Sequence, residues 1–193
     1  MVNNDDKYYI EKVLKGNADA YAFIINKYKS IAFTLALRVL RNREDAEEAA
    51  QDAFVKSYYA LSEFNNKSAF STWLYRIVYT CAISRLRQRK PAMRELDEET
   101  IDSAGADFNE SNSALSKMKS EDQKHYVNLA MESLEEEDSL ILTLYYQLEK
   151  SAEEIAQITG LTRSNVKIKL FRVRKKLQHT LENILKEEVY NLL

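Results

Sequence analysis

SAEEIAQITGLTRSNVKIKLFRVRKKL, residues 151–177, decides the reading of this chain. Ser151 followed by Glu154 has the spacing of a capping box, in which each side chain satisfies an orphan amide at a helix start. The helix it opens runs through Ala156 to Thr159. Gly160 then supplies the left-handed turn conformation that a side chain disfavours. Thr162 caps a second, longer helix reaching at least Leu185. Ile155 and Ala156 on the first helix are set to face Val166 and Leu170 on the second. Two helices joined by a glycine turn make a helix-turn-helix.

The second helix carries the charge. From Thr162 to His179 there are seven Arg or Lys and no acid. In this motif the N-terminal end of the second helix meets base edges in the major groove, which assigns that role to Arg163, Ser164, Asn165 and Lys167. Lys169, Arg172, Lys175 and Lys176 are suited to phosphates, which position a protein without specifying sequence.

Upstream, the same 3.6-residue period recurs. Ile10, Val13 and Leu14 share one face of a short helix over 8–15, ended by Gly16. Asn17 caps a helix to about Leu40, whose apolar residues are Ile24, Tyr28, Ile31, Leu35 and Val39. A third runs from about Glu44 to Leu61 with Ala46, Ala49, Ala50, Ala53, Phe54 and Leu61 inward, and Asp45, Glu48, Gln51 and Asp52 on an acidic outer face. After the polar segment 62–71, Ser71 caps a fourth helix to about Arg89 with Trp73, Leu74, Ile77, Val78, Cys81 and Leu86 as its buried stripe. Pro91 stops it. Three glycines and one proline in 193 residues leave few of the turns a sheet needs, so the expected fold is all-α.

The fourth helix, within SAFSTWLYRIVYTCAISRLRQRKP at 68–91, interleaves Trp73, Tyr75 and Tyr79 with Arg76, Arg85, Arg87, Arg89 and Lys90. Residues 64–94 contain no acid. Aromatic rings stack unpaired bases while cations follow the backbone, as a single-strand binder requires. Core packing is an equally good account of Trp73 by itself. The acidic face of the third helix reads either as a solvated surface or as a protein docking surface.

Residues 92–122 hold nine acids and three bases among Ser, Asn and Gly. Such a segment buries too little apolar surface to offset its chain entropy and is expected to be a flexible acidic linker, the competing reading being a poorly amphipathic surface helix around 111–120. It divides the chain into two small helical domains, 1–91 and 123–193. Order resumes near Asp122 with Val127, Leu129, Met131 and Leu134, then a helix with Leu140, Ile141, Leu144 and Tyr145.

Other chemistries lack residues. Cys81 is alone and cannot form an internal disulfide. His125 and His179 lie in different segments, and there is no Gly-rich phosphate loop, paired-histidine metal motif or serine elbow. The expectation is no enzyme activity, no cofactor, no metal and no small-molecule substrate. The start MVNNDDKYYIEK lacks the basic and apolar regions of a signal peptide, and no apolar run reaches membrane-spanning length, so a cytoplasmic protein without membrane insertion is expected. A net charge of −2 leaves nucleic-acid binding to charge distribution rather than to the total.

Three segments in order, DAEEAAQDAFVKSYYALSEF, SAFSTWLYRIVYTCAISRLRQRKP and SAEEIAQITGLTRSNVKIKLFRVRKKL, resemble the regions of bacterial sigma factors. The minimal two-domain form, the extracytoplasmic-function (ECF) group, is the best match, covering about 10–91 and 125–180. The resemblance implies a transcription initiation factor that brings core RNA polymerase to promoter DNA. It assigns Asp45, Gln51, Asp52, Phe54, Lys56 and Tyr58 to docking on the polymerase clamp. It assigns the loop Phe64, Asn65, Asn66, Lys67, Ser68 and Ala69, with the helix behind it including Trp73, to capture of a flipped −10 base. Arg76, Tyr79, Thr80, Ser84 and Arg85 would meet the same strand. The helix from Arg163 would read the −35 element. An anti-sigma factor is a further implied partner. Thr80 stands where many relatives have Asn, Leu134-Glu135 replaces the usual Leu-Pro, and Ile168 replaces a small polar residue.

The promoter elements lie about two helical turns apart, roughly 70 Å at ~34–36 Å per turn. A flexible linker of about 31 residues spans about 30 Å on average and ~100 Å at full extension. The chain reaches, but polymerase must hold the separation. The isolated protein is therefore expected to bind promoter duplex weakly. A stand-alone helix-turn-helix regulator is the competing reading. It would need a dimer to read two half-sites, and the chain has no sustained heptad seam.

Overall fold

The computed structural model describes residues 4–89 and 120–191, with side chains for 5–89 and 126–186. The expected stop at Pro91 and most of the expected linker lie outside the described residues. Every regular element among the described residues is helical: α1 (Asn4–Leu14), α2 (Tyr21–Leu40), α3 (Arg43–Tyr59), α4 (Phe70–Arg89), α5 (Ser120–Glu132), α6 (Glu136–Leu142), α7 (Ala152–Thr159) and α8 (Arg163–Asn191). The all-α expectation is met.

The N-terminal module packs α2, α3 and α4 against one another. Ala32, Ala36, Ala46, Ala49 and Ala53 are fully buried where these helices meet; methyl-sized side chains let the backbones come close. Larger groups, among them Ile24, Leu35, Leu61, Phe70 and Leu74, fill the remaining core. Asn42 caps α3 by accepting from the Asp45 amide. Arg41, in the left-handed conformation at φ 48°, closes α2.

Three local expectations are corrected. The first helix begins at Asn4 rather than near residue 8, and its Asp6 is drawn inward by Tyr28 Oη (2.7 Å) and Lys27 Nζ (2.6 Å). Asn17 caps a short 3-10 turn, Ala18–Ala20, which leads into α2. Ser71 lies inside α4, which starts at Phe70 with the Trp73 amide bonded to the Ala69 carbonyl. Its hydroxyl meets Lys150 Nζ instead.

The C-terminal module is α5–α8. Between α6 and α7 the chain widens into a π-turn over Thr143–Gln147. A π-turn inserts one extra residue into a helical path, and Tyr145 and Tyr146 project there, with the Arg174 guanidinium 4.9 and 5.4 Å from their ring centres. Ile141, Leu144, Ile155, Ile158, Val166, Leu170 and Val173 make the module's core.

The two modules are in contact. α4 lies against α7 and α2 against α6, and a single apolar cluster runs through both halves.

Candidate nucleic-acid interface

The helix-turn-helix forms as its sequence dictates. Both bonds of the Ser151–Glu154 capping box are made. Gly160 takes φ 80° and its amide closes α7 on the Ala156 carbonyl at 2.9 Å. Thr162 Oγ1 accepts from the Asn165 amide at 3.1 Å, capping α8. Ile155 and Ile158 are buried against Val166 and Leu170. Ala156 is only half-buried, so Ile158 does the packing expected of it.

This packing turns Arg163, Ser164, Asn165 and Lys167 outward; all four are exposed. Arg163 reaches Glu153 at 3.6 Å, an open pair between mostly solvated side chains. Such pairs contribute little, so Arg163 is available to another acceptor. Farther along α8 two of the cations are engaged at the start of α6. Lys169 Nζ lies 2.7 Å from Glu137, and Lys176 Nζ 3.7 Å from Glu135. Lys175 sits over the Phe171 ring at 4.7 Å. Arg172 is exposed.

A second surface surrounds the start of α4. Phe64, Phe70 and Trp73 form an aromatic cluster with ring centres 5.4–5.5 Å apart. Phe70 is buried, whereas Phe64 and Trp73 are half-exposed. Trp73 therefore belongs to the core on one side and presents its other side outward. The loop beside it is held locally. Asn65 Oδ1 accepts from the Lys67 amide at 3.2 Å, and Asn66 is left-handed at φ 58°. Asn tolerates that conformation better than most residues. Ser68 Oγ donates to the Ala69 carbonyl at 3.4 Å.

Down α4, Arg76, Thr80 and Ser84 are exposed along one face. The Thr80 hydroxyl is already used, donating to the Arg76 carbonyl at 2.8 Å. Tyr79 is half-buried; burial, reinforced by the charge of Glu137 and opposed by Arg87, pushes its phenol up to about 12. Arg85 turns back onto α3, pairing with Asp45 at 3.0 Å and with Glu48, and Arg89 pairs with Asp45.

That pairing corrects the picture of α3. Asp45 is not on the outward acidic face but mostly buried under α4. Gln51, Asp52 and Lys56 are exposed, and Phe54 is buried. A groove of about 420 Å³ between α2 and α3 is lined by Ile25, Lys29, Phe33, Glu47, Gln51 and Phe54. Tyr58 packs edge-on against Tyr21, whose hydroxyl bonds Ser57 Oγ at 2.6 Å. The apolar period of α2 does not by itself mark its contribution to this groove. Ile25, off the buried stripe yet apolar and partly exposed, was the available signal.

Among the described residues no cluster of His, Cys, Asp or Glu is arranged to hold a metal, and no helix is long and apolar enough to cross a membrane.

Both modules match known families. Residues 24–91 match Sigma-70 region 2, and residues 124–177 match Sigma-70, region 4. The chain is 31% identical to the ECF RNA polymerase sigma-E factor of Escherichia coli over 94% of its length and 96% of that protein's. It is 30% identical to the ECF RNA polymerase sigma factor SigW of Bacillus subtilis, covering 92% of this chain and 97% of the other. The RNA polymerase sigma-H factor of Pseudomonas aeruginosa is 29% identical, with 97% and 99% covered. The fold is shared with CnrH, solved in complex with the cytosolic domain of CnrY, at TM-score 0.63, 20% identity and 93% and 99% coverage. It is shared also with the sigma factor RpoE, solved with the anti-sigma factor NepR from Bartonella quintana, at TM-score 0.61, 20% identity and 84% and 96% coverage. With two modules in the same order and relatives aligned nearly end to end, the chain belongs to the ECF sigma factors, which direct core RNA polymerase to promoters.

Proposed function

We propose that the two modules divide promoter recognition between them. The C-terminal module reads the −35 element through Arg163, Ser164, Asn165 and Lys167, with Lys169, Arg172, Lys175 and Lys176 on phosphates. The N-terminal module takes the −10 element: the loop Phe64–Ala69 and Trp73 receive an extruded base, and Arg76, Tyr79, Thr80 and Ser84 follow the strand. The observation that carries this reading is the start of α8, capped by Thr162, where Arg163, Ser164, Asn165 and Lys167 are exposed and only Val166 turns inward. Unstacking a base costs a few kcal/mol, which ring contacts with Trp73 and Phe64 and the polymerase must offset.

Core polymerase docks on the N-terminal module at the α2–α3 groove, where Gln51 and Phe54 meet Ile25 and Phe33, with Asp52, Lys56 and Tyr58 beside it. Asp45 and Arg85 support this surface from behind rather than forming it. The work is binding, not bond making, and its place is the cytoplasm, where the polymerase and the DNA are. An anti-sigma factor is a fitting partner, since two neighbours in fold were solved with such proteins or with a cytosolic partner domain.

Run-off transcription with purified core polymerase over a genomic promoter library tests the proposal. The expected result is initiation from promoters sharing paired −35 and −10 elements, without any other factor. Transcripts that need a second initiation factor, with this chain acting only as a modulator, would instead establish the stand-alone regulator.

A further inference from the structure

Within the C-terminal module, the start of α6 and one side of α8 are matched in charge. Four acids follow one another there, Glu135, Glu136, Glu137 and Asp138, the first as the N-cap of α6. Lys169 Nζ of α8 lies 2.7 Å from Glu137 Oε2, with the two side chains only 33% and 27% exposed. Seven residues on, Lys176 Nζ lies 3.7 Å from Glu135 Oε1 in a more open pair. Seven residues are close to two helical turns, so both lysines leave α8 from the same side. Asp138 is half-buried beside them; burial raises its carboxyl, and the charges of Lys169 and Lys176 oppose that rise. The reading end of α8 is different. Arg163 meets Glu153 at 3.6 Å with both side chains more than half exposed, and Lys167 is exposed.

We propose that Glu135 and Glu137 stand in for DNA phosphates on Lys176 and Lys169, and so hold down the sequence-independent attraction of α8 for duplex DNA. A carboxylate and a phosphate oxygen are alike as acceptors for an ammonium. A phosphate approaching Lys169 therefore finds the site occupied, and it also meets a like charge that repels it. Non-specific binding comes almost entirely from phosphate contacts, whereas base edges are read by side chains at the start of the recognition helix. The acids thus subtract from the phosphate attraction and leave the exposed start of α8 to decide where the factor stays. The same pairing alters the response to salt. A free lysine that meets a phosphate releases a counterion into solution; a lysine that exchanges Glu137 for a phosphate releases only Glu137. This inference rests on the reading of α8 as the −35 helix.

The test uses the full chain assembled with core polymerase. Binding is measured by fluorescence anisotropy at several salt concentrations, on a promoter duplex recovered by run-off transcription and on a duplex of equal length with its −35 element scrambled. Glu135→Gln combined with Glu137→Gln should bind the scrambled duplex several-fold more tightly than the parent. Its dependence on log salt should steepen by about one for each lysine freed. The promoter duplex should gain less, because base contacts there fix α8 in a register that its cations cannot improve. Glu136→Gln is the control: it removes the same charge from the same turn, and among the described residues Glu136 is in no ion pair with α8. If circular dichroism shows the double variant to fold poorly, Glu135→Gln at its exposed position carries the measurement with a smaller gain. Unchanged or weaker binding of the scrambled duplex by a folded variant reduces the pairs to a brace between α6 and α8 and overturns the inference. An equal gain from Glu136→Gln also overturns it, by reducing the effect to net charge. A parent that does not prefer the promoter duplex to the scrambled one is a separate failure, of the −35 reading itself.

Discussion

The Arg85 guanidinium of α4 donates from Nε to Asp45 Oδ1 of α3 across 3.0 Å, joining two residues that family resemblance assigns to different partners, DNA and polymerase. With Arg89 also on Asp45 and Glu48 on Arg85, four charges lock α3 to α4. Arg85 therefore acts first as a brace between the two helices that carry the proposed binding surfaces. A double-mutant cycle of Arg85→Ala and Asp45→Ala isolates the pair. Each single change should lower the melting temperature, with a favourable coupling that shrinks as salt rises. Zero coupling at low salt, together with a DNA-binding loss confined to Arg85→Ala, would return Arg85 to the strand.

Asp6 tests a different kind of burial. It is 3% exposed, and its two oxygens take Lys27 Nζ and Tyr28 Oη. Burial, and then the neighbouring carboxylate, push the Tyr28 phenol far above its ordinary range, so it remains a donor. Tyr28→Phe leaves one carboxylate oxygen without its donor, a loss of about 1–3 kcal/mol. Urea unfolding followed by circular dichroism should record it. Combining Tyr28→Phe with Asp6→Ala should cost less than the sum of the two.

Gly160 separates conformational from steric cost. A Cβ there meets no atom within 4 Å, so Gly160→Ala is penalised by its φ of +80° alone. The expected loss is about 1–2 kcal/mol, with less for Gly160→Asn, which tolerates the turn. Calorimetry on the full chain measures both. A much larger loss for Ala would point to packing rather than backbone.

Glu154 predicts a pH dependence. Burial opposes its ionisation, but hydrogen bonds from the Ser151 amide, the Lys150 ammonium and the Thr72 hydroxyl outweigh it and hold the carboxyl at about 2, below its usual 4.5. A depressed carboxyl stabilises the folded chain fully above about 4.5, and that contribution disappears as pH falls toward 2. Glu154→Gln should thus destabilise the chain at pH 7 and have progressively less effect toward pH 3. A pH-independent difference between the two proteins would assign the loss to helix capping alone.

On DNA, α8 should show two classes of residue. Arg163→Ala or Lys167→Ala should cost about 1–3 kcal/mol in holoenzyme binding and relax preference within the −35 element. Lys175→Ala should weaken all sequences alike and lower the salt slope by about 1. Lys169 and Lys176 should matter less than their position suggests, because Glu137 and Glu135 already hold them. Competition binding across single-base variants of one promoter distinguishes the classes.

What residues 151–177 specify, they specify by short-range rules. The capping box, the glycine turn, the Thr162 cap and the outward first turn of α8 each involve partners within four residues, and all formed as read. Helical periodicity likewise gave away Ile24, Leu35, Leu74 and Val78 as core. It could not say what a face is buried against. α4 is covered on more than one side, by α2 and α3 and by α7, so Phe70, Thr72, Tyr75 and Ala82 are buried off the expected stripe. Asp45, Asp6 and Ser71 look like solvated or capping residues in one dimension, because their partners lie 21 to 79 positions away. Only the tertiary structure could bring Thr72 to Glu154, 82 residues on. A hydrogen bond depends on three-dimensional proximity, and nothing in the local period of either helix encodes the other's position.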